Sequence, residues 1–258
     1  APILQEKLFD QDISAVLTSA TLATGQDDFS HIISRLGCEN AGTLALGSPF
    51  DYREQMRMIV DRSMPNPNDP KYVEKLAPRI EELIRQTDGG AFVLFTSFKM
   101  LNSVADLLRP NLRADEYPVL VHGQDGPPGL LLKRFREDER TVLFGTASFW
   151  QGVDVRGHGL RNVIITRLPF DVPDRPVIEA RHERIAERGR VPFIEDQVPR
   201  AVIRFKQGIG RLIRSHTDEG QIAVLDPRIV TKPYGRMFLD ALPDGVRIEQ
   251  SESADEVF

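Results

Sequence analysis

Cysteine is almost missing from this sequence: Cys38 is the single one among 258 residues. One thiol excludes a disulfide framework within the chain and any cysteine-based metal cluster. Cys38 is expected to be a small buried apolar residue. Histidine is also scarce, and the five residues, at 31, 122, 158, 182 and 216, show no metal-ligand spacing. No apolar run approaches the ~18 residues that a spanning helix requires, and the start has no basic-then-apolar pattern of a signal peptide. No membrane partner is expected, and the cytoplasm is the expected address. A Gly-x-x-x-x-Gly-Lys-Ser/Thr phosphate loop is absent, as is an Asp-Glu-x-His metal motif; Asp115-Glu116 follows no apolar strand. These absences count against a free-standing α/β enzyme that holds a small nucleotide by itself.

What is present is enough apolar residue, 41%, to bury a core in one large or two small domains. The net charge of -5 argues against a general coat for polyanions, but it conceals an asymmetry. Residues 161–214 hold 12 Lys and Arg against 7 Asp and Glu, and residues 217–258 hold 4 against 9. A locally basic stretch followed by an acidic one fits a defined anion-binding face, although sign asymmetry between segments is also common in ordinary proteins.

Along the chain, residues 15–22 form a short apolar run changing to small hydroxyl residues, which reads as a buried strand delivering Ser19 and Thr21 to its carboxyl end. A helix follows Asp27-Asp28 to about Leu36. Residues 47–52 are a turn-rich connector, and residues 64–70, with three prolines, are a loop. A regular rhythm then begins. Helices are expected over 72–86, over 99–108 with Pro110 as the stop, from Gly126-Pro127-Pro128 to about 136, and over 173–189, 196–214 and 233–242. Strands are expected over 91–96, 117–121, 141–145, 162–167 and 221–225. Alternation of this kind implies an open, mostly parallel sheet covered by helices on both faces. In such sheets function gathers at the carboxyl ends of the strands.

The segment Gln207-Gly208-Ile209-Gly210-Arg211-Leu212-Ile213-Arg214-Ser215 stands out. Val202, Phe205, Ile209, Leu212 and Ile213 recur at helical spacing, and Arg204, Gln207, Arg211 and Arg214 recur on the opposite face. Guanidinium forks suit phosphate oxygens. Two glycines inside a helix cost roughly 1 kcal/mol each, so a close approach is expected at Gly208 and Gly210. An ordinary solvated Arg/Gln face is the alternative. Two strand-end loops carry hydroxyls beside aromatics: Thr96-Ser97-Phe98, and Thr146-Ala147-Ser148-Phe149-Trp150-Gln151-Gly152-Val153-Asp154. Hydroxyls bond phosphate oxygens and rings stack on bases, which suits a single-stranded backbone. Trp150 could equally be a packing residue, Thr96 and Ser97 helix caps, and Asp154 a turn cap.

Taken in order, these stretches resemble the second motor lobe of a superfamily 2 helicase, most closely the DinG-like branch related to the XPD helicases. Thr18-Ser19-Ala20-Thr21-Leu22 is similar to motif III and Leu94-Phe95-Thr96-Ser97-Phe98 to motif IV. Residues 145–154 are similar to motif V and 207–214 to motif VI; Ser48-Pro49-Phe50 and Leu168-Pro169-Phe170 also look like this branch. The resemblance covers about residues 15–240. It implies a RecA-like three-layer sandwich, the fold of the P-loop NTPases but without a P-loop of its own.

The resemblance further implies that ATP, with Mg2+, is shared with a first motor lobe, and that Arg211 and Arg214 reach its phosphates with Gln207 near the attacking water. Gly152 and Asp154 are expected to line that cleft. Thr96, Ser97, Phe98, Thr146, Ser148, Phe149 and Trp150 are expected to face single-stranded DNA, and Ser19 and Thr21 to couple hydrolysis to 5′–3′ movement in DNA repair or replication. An iron–sulfur cluster, held in many relatives by first-lobe cysteines, is not addressed by Cys38. The expected partition is 1–24 as the end of the first lobe, 25–243 as the second lobe and 244–258 as an acidic, solvated tail. Without a phosphate cradle or metal ligands this chain is expected to be inactive alone. The competing reading is a non-catalytic nucleic-acid-binding or protein-docking module with a helicase-like fold.

Overall fold

The computed structural model describes residues 2–25, 27–150, 159–171 and 175–251. The helices are α1 (Pro2–Leu4), α2 (Ser30–Leu36), α3 (Tyr52–Gln55), α4 (Tyr72–Gln86), α5 (Phe98–Ala114), α6 (Pro128–Phe135), α7 (Pro176–Ala186), α8 (Val198–Ile209), α9 (Arg228–Thr231) and α10 (Gly235–Leu239). Wide five-residue helical turns cover Gln5–Phe9 and Phe193–Gln197. The strands are β1 (Met56–Asp61), β2 (Ala91–Leu94), β3 (Val119–Val121), β4 (Val142–Gly145), β5 (Asn162–Ile165), β6 (Gly220–Val224) and β7 (Arg247–Ser251). They form one sheet in the order β3-β4-β2-β5-β6-β1-β7, and every pairing is parallel.

The sheet separates two cores because neighbouring side chains on a strand point to opposite faces. Phe92 and Leu94 of β2 join Leu143, Val163, Ile165, Ile222 and Val224 beneath Val202, Phe205 and Phe238. Ala91, Val93 and Phe95 join Phe144, Ile164 and Ala223 beneath α4 and α5. Helix α4 buries Tyr72, Leu76, Ala77, Ile80, Leu83 and Ile84, the stripe its periodicity predicts. Beyond its end, the Gly89 amide bonds the Ile84 carbonyl at 3.0 Å. Gly89 has φ +79°, and a Cβ there would lie 2.2 Å from the Arg140 carbonyl oxygen, so only glycine closes this turn. The hydroxyl of Tyr72 donates to the carbonyls of Thr166 and Leu225 just past β5 and β6, tying α4 to the carboxyl edge of the sheet.

Several expectations require correction. Residues 15–22 form no strand: Val16 is 86% exposed and Leu17 47%, and no strand of the sheet pairs with this run. Two strands were not foreseen. Met56–Asp61 is a short apolar run and carries no clear period in the sequence. Arg247–Ser251, within the expected tail, pairs in parallel with β1 from Arg57↔Arg247 to Asp61↔Ser251. Pro110 does not stop α5, which continues to Ala114 because Leu112 is fully buried and anchors the extra turn. The expected helix 196–214 is α-helical only from Val198 to Ile209, the expected helix 173–189 is Pro176–Ala186, and the expected helix 233–242 is only the five-residue α10, with the short α9 ahead of it. Cys38 is half-buried.

Candidate active site and nucleic-acid interface

Helix α8 is held at both ends. Before it, the carboxylate of Asp196, 1% exposed, lies against Arg35 of α2 and against Arg181 and His182 of α7, at 3.8 and 3.5 Å for the last two. Burial, then the charges of Arg181 and Arg200, lowers the Arg35 guanidinium to about 10. Along α8, Arg200 and Arg204 are committed to Asp171 at 2.8 and 2.5 Å. Burial alone would raise the Asp171 carboxyl, but the hydrogen bond and charge of Arg204, with Arg200, hold it below the usual carboxylate range. Arg204 therefore stands apart from the expected row of phosphate-facing side chains.

Beyond Ile209 the chain leaves the helix, so Arg211 and Arg214 sit on a turn and not on a helical face. That turn is well fixed. Leu212 and Ile213 are 2% and 4% exposed, and a Cβ on Gly220 would come within 2.6 Å of Leu212, which seals the turn against the start of β6. The Asp218 carboxylate accepts from the backbone amides of Arg214 and Ser215 at 2.8 and 2.9 Å, and from the Ser215 hydroxyl at 2.7 Å. The Gln55 amide donates to the carbonyls of Ser215 and Asp218, both at 2.9 Å. Arg211 is only 4% exposed. Its guanidinium is lowered to about 10 by burial first and by the charge of Arg214 second. Guanidinium groups on a fixed turn present planar donors of the kind that suit phosphate oxygens.

The same end of α8 gathers the hydroxyl segment from the start of the chain. Lys206 Nζ donates to the carbonyls of Ala23 and Gly25 at 3.0 and 3.2 Å, and Gln207 Nε2 reaches Thr21 Oγ1 at 3.5 Å. The Thr21 amide bonds Ser19 Oγ at 3.2 Å. Thr24 Oγ1 donates to the Asp28 carboxylate at 2.6 Å, which closes the turn leading into α2. Ser19, Thr21 and Gln207 thus lie together, although 186 residues separate Thr21 from Gln207, and Arg211 and Arg214 follow on the turn beyond α8. Lys206, Gln55 and Asp218 were missed from sequence. The Ser215-x-x-Asp218 spacing is the one available signal, since a short hydroxyl followed by Asp favours such a closed turn.

The second cluster lies at the carboxyl ends of β2, β3 and β4. Ser97 Oγ accepts from the Met100 amide at 3.3 Å and caps α5, while its residue remains exposed. Thr96 is half-buried, Phe98 is 49% exposed and Ser148 is exposed. Thr146, 5% exposed, shares a hydrogen bond of 2.8 Å with His122 Nδ1. Phe149 and Trp150 are 0% and 3% exposed and belong to the core, so the expectation that they offer stacking faces is corrected. The close approach expected at Gly208 is real, but its partner is the Trp150 ring, 2.9 Å from where a Cβ would sit. A Cβ on Gly210 would meet the Lys206 carbonyl oxygen at 3.1 Å. Gly152 and Asp154 lie outside the described residues. Among the described residues no three His, Cys, Asp or Glu side chains gather to hold a metal ion, and no helix is long and apolar enough to cross a membrane.

Comparison with known proteins shows the family and the fold. Residues 80–245 match the helicase C-terminal domain family. The chain is 44% identical over 234 residues to the ATP-dependent DNA helicase YoaA of Escherichia coli (strain K12), covering 91% of this chain and 36% of that protein. It is 40% identical over 262 residues to the 3′-5′ exonuclease DinG of Bacillus subtilis (strain 168), covering 99% of this chain and 28% of that protein. The chain therefore spans about a third of the length of such relatives. A solved XPD helicase superposes with a TM-score of 0.70 at 17% identity, over 96% of this chain and 44% of that one, which shows a common RecA-like fold. With its all-parallel sheet and its match over residues 80–245, the chain belongs to the helicase C-terminal domain family, as the C-terminal lobe of the DinG/YoaA type.

Proposed function

We propose that this chain is the second motor lobe of an ATP-dependent DNA helicase that moves 5′ to 3′ on single-stranded DNA in the cytoplasm, during repair or replication. ATP is shared with a first lobe that supplies the phosphate cradle and the Mg2+ ligands. Arg211 and Arg214 reach the nucleotide phosphates and Gln207 lies by the terminal phosphate. What supports this reading is the contact between Gln207 and Thr21 at the end of α8, directly before the turn that carries Arg211 and Arg214 and that Asp218 holds. Residues 1–24 belong to the end of the first lobe, whose sheet is the partner that the exposed run 15–22 lacks. Thr96, Ser97, Phe98 and Ser148 face the strand, and Thr146 supports them from beneath. Ser19 and Thr21, on the segment held by Lys206, carry the coupling between hydrolysis and movement.

Guanidinium groups placed against a transferring phosphoryl group stabilise the charge of the transition state and are worth ~10³-fold or more in rate. Arg211→Ala or Arg214→Ala in the full-length protein is expected to reduce DNA-stimulated ATP hydrolysis on that scale while leaving DNA binding in place. Unchanged hydrolysis in both variants overturns the assignment. This chain alone is expected to hydrolyse no ATP, and to recover hydrolysis when joined to the first lobe.

A further inference from the structure

Among the described residues, Phe98 at the carboxyl edge of the sheet is an aromatic side chain both exposed and fixed. Phe98 opens α5 and is 49% exposed, yet two neighbours hold its ring in place. Gly123, at φ +85°, lies so close beneath the ring that a Cβ there would sit 3.2 Å from Phe98 Cε1. The His122 ring packs beside it, with centroids 4.9 Å apart and planes at 48°. His122 is itself locked, by the 2.8 Å hydrogen bond to Thr146 Oγ1 and by an edge contact with buried Phe149 at 4.9 Å. The turn carrying His122 and Gly123 is braced in turn. The Asp125 carboxylate accepts from the Val121 amide at 2.7 Å and pairs with Arg109, while Gln124 accepts from Arg109 and donates to Asn102, both at 3.0 Å.

A half-exposed ring that is packed on one side and fixed in orientation offers its free face to a flat partner. Burial lowers the His122 imidazole below its ordinary value, so at neutral pH the pair is an uncharged, π-faced surface. Exposed Ser97, Lys99 and Ser148 flank it, and these groups suit the phosphates on either side of a stacked base. The buried Phe149 serves this surface from below by seating His122 and not by stacking itself.

We propose that Phe98 and His122 form a stacking platform for one nucleobase of single-stranded DNA, with Thr146 and Gly123 as its positioning residues. This rests on the reading of the β2–β4 edge as a DNA track and names the element of that track that takes a base. It assigns His122 a role that neither the sequence motifs nor the family match supplies.

The test uses the whole 258-residue chain and a short oligothymidylate carrying a single 2-aminopurine, scanned along its length. Stacking quenches this base, so bound wild-type protein is expected to quench it strongly at one position. Phe98→Ala is expected to abolish that quench and to weaken binding roughly 5- to 150-fold, the range for losing one base–aromatic stack. Phe98→Tyr retains both, His122→Ala and Gly123→Ala reduce the quench, and Thr146→Val weakens it without removing binding. Strand binding with a quench that Phe98→Ala and His122→Ala leave unchanged overturns the platform and leaves the DNA track standing. No binding by the wild-type chain overturns the track and the platform with it. Normal thermal unfolding of Phe98→Ala and Phe98→Tyr separates loss of stacking from loss of fold.

Discussion

Two apolar runs of similar chemistry meet opposite fates in this protein. Ala91-Phe92-Val93-Leu94 lies between β4 and β5, and all four side chains are fully buried. Ala15-Val16-Leu17 is exposed, Val16 by 86%. Neither composition nor length separates them; the neighbours do. A strand bonds its backbone groups to flanking strands and buries its two faces under helices, and each condition depends on chain elements far away in sequence. The seven strands lie between 56 and 251 and none pairs with the first run, whose Thr21 touches Gln207 while its apolar part is uncovered.

The sharpest test of this contrast is truncation within each run. Leu94→Ala removes a fully buried side chain and is expected to cost about 2–5 kcal/mol in urea unfolding, whereas Val16→Ala is expected to change stability by less than about 0.5 kcal/mol. Comparable losses at the two positions would mean that residues 15–17 are covered in solution. A smaller effect is expected at Gly208, where the burial of Trp150 beside the β2 end depends on a missing side chain. Gly208→Ala places a Cβ 2.9 Å from the indole, so it is expected to destabilise by about 1–3 kcal/mol even though alanine is the better helix former. A gain in melting temperature would refute the close packing.

The smallest effect concerns pH. His31 and His122 are both held below the ordinary 6.5, in each case by burial first. Between the lowered value and 6.5 the unfolded chain binds the extra protons, so stability is full above that window and falls as the pH drops through it. Asp28, held low first by the Ser30 hydroxyl and then by that of Thr24, contributes stability present above 3.8 and lost on further acidification. The unfolding midpoint is therefore expected to decline from about pH 7.5 to about pH 5.5, and His122→Gln is expected to flatten part of that slope. A midpoint that rises on acidification would contradict these environments.

The two candidate surfaces differ in how far they could be read in advance. The hydroxyl loop after β2 was legible because Ser97 caps a helix that begins where the strand's apolar run stops, and both signals are local. The aromatic residues after β4 were misread: the sequence offers no measure of whether Phe149 and Trp150 point outward or into the core. The motif VI stretch was recognised by its residues, but its shape was not. A continuous helix to Arg214 satisfies the apolar periodicity as well as the observed turn does, and only Asp218, Gln55 and the packing of Leu212 under Gly220 select the turn.

By itself the sequence determined the alternation of helices and strands between about 72 and 225, the limits of α4, and the set of polar residues at strand and helix ends, because these follow from periodicity, caps and glycine. Tertiary structure alone decided which apolar runs become strands, why Pro110 lies inside α5 and why β7 closes the sheet edge. It also decided which aromatics are buried and that Thr21 meets Gln207. Each of these depends on a partner brought from a distant part of the chain, and burial is a property of the pair.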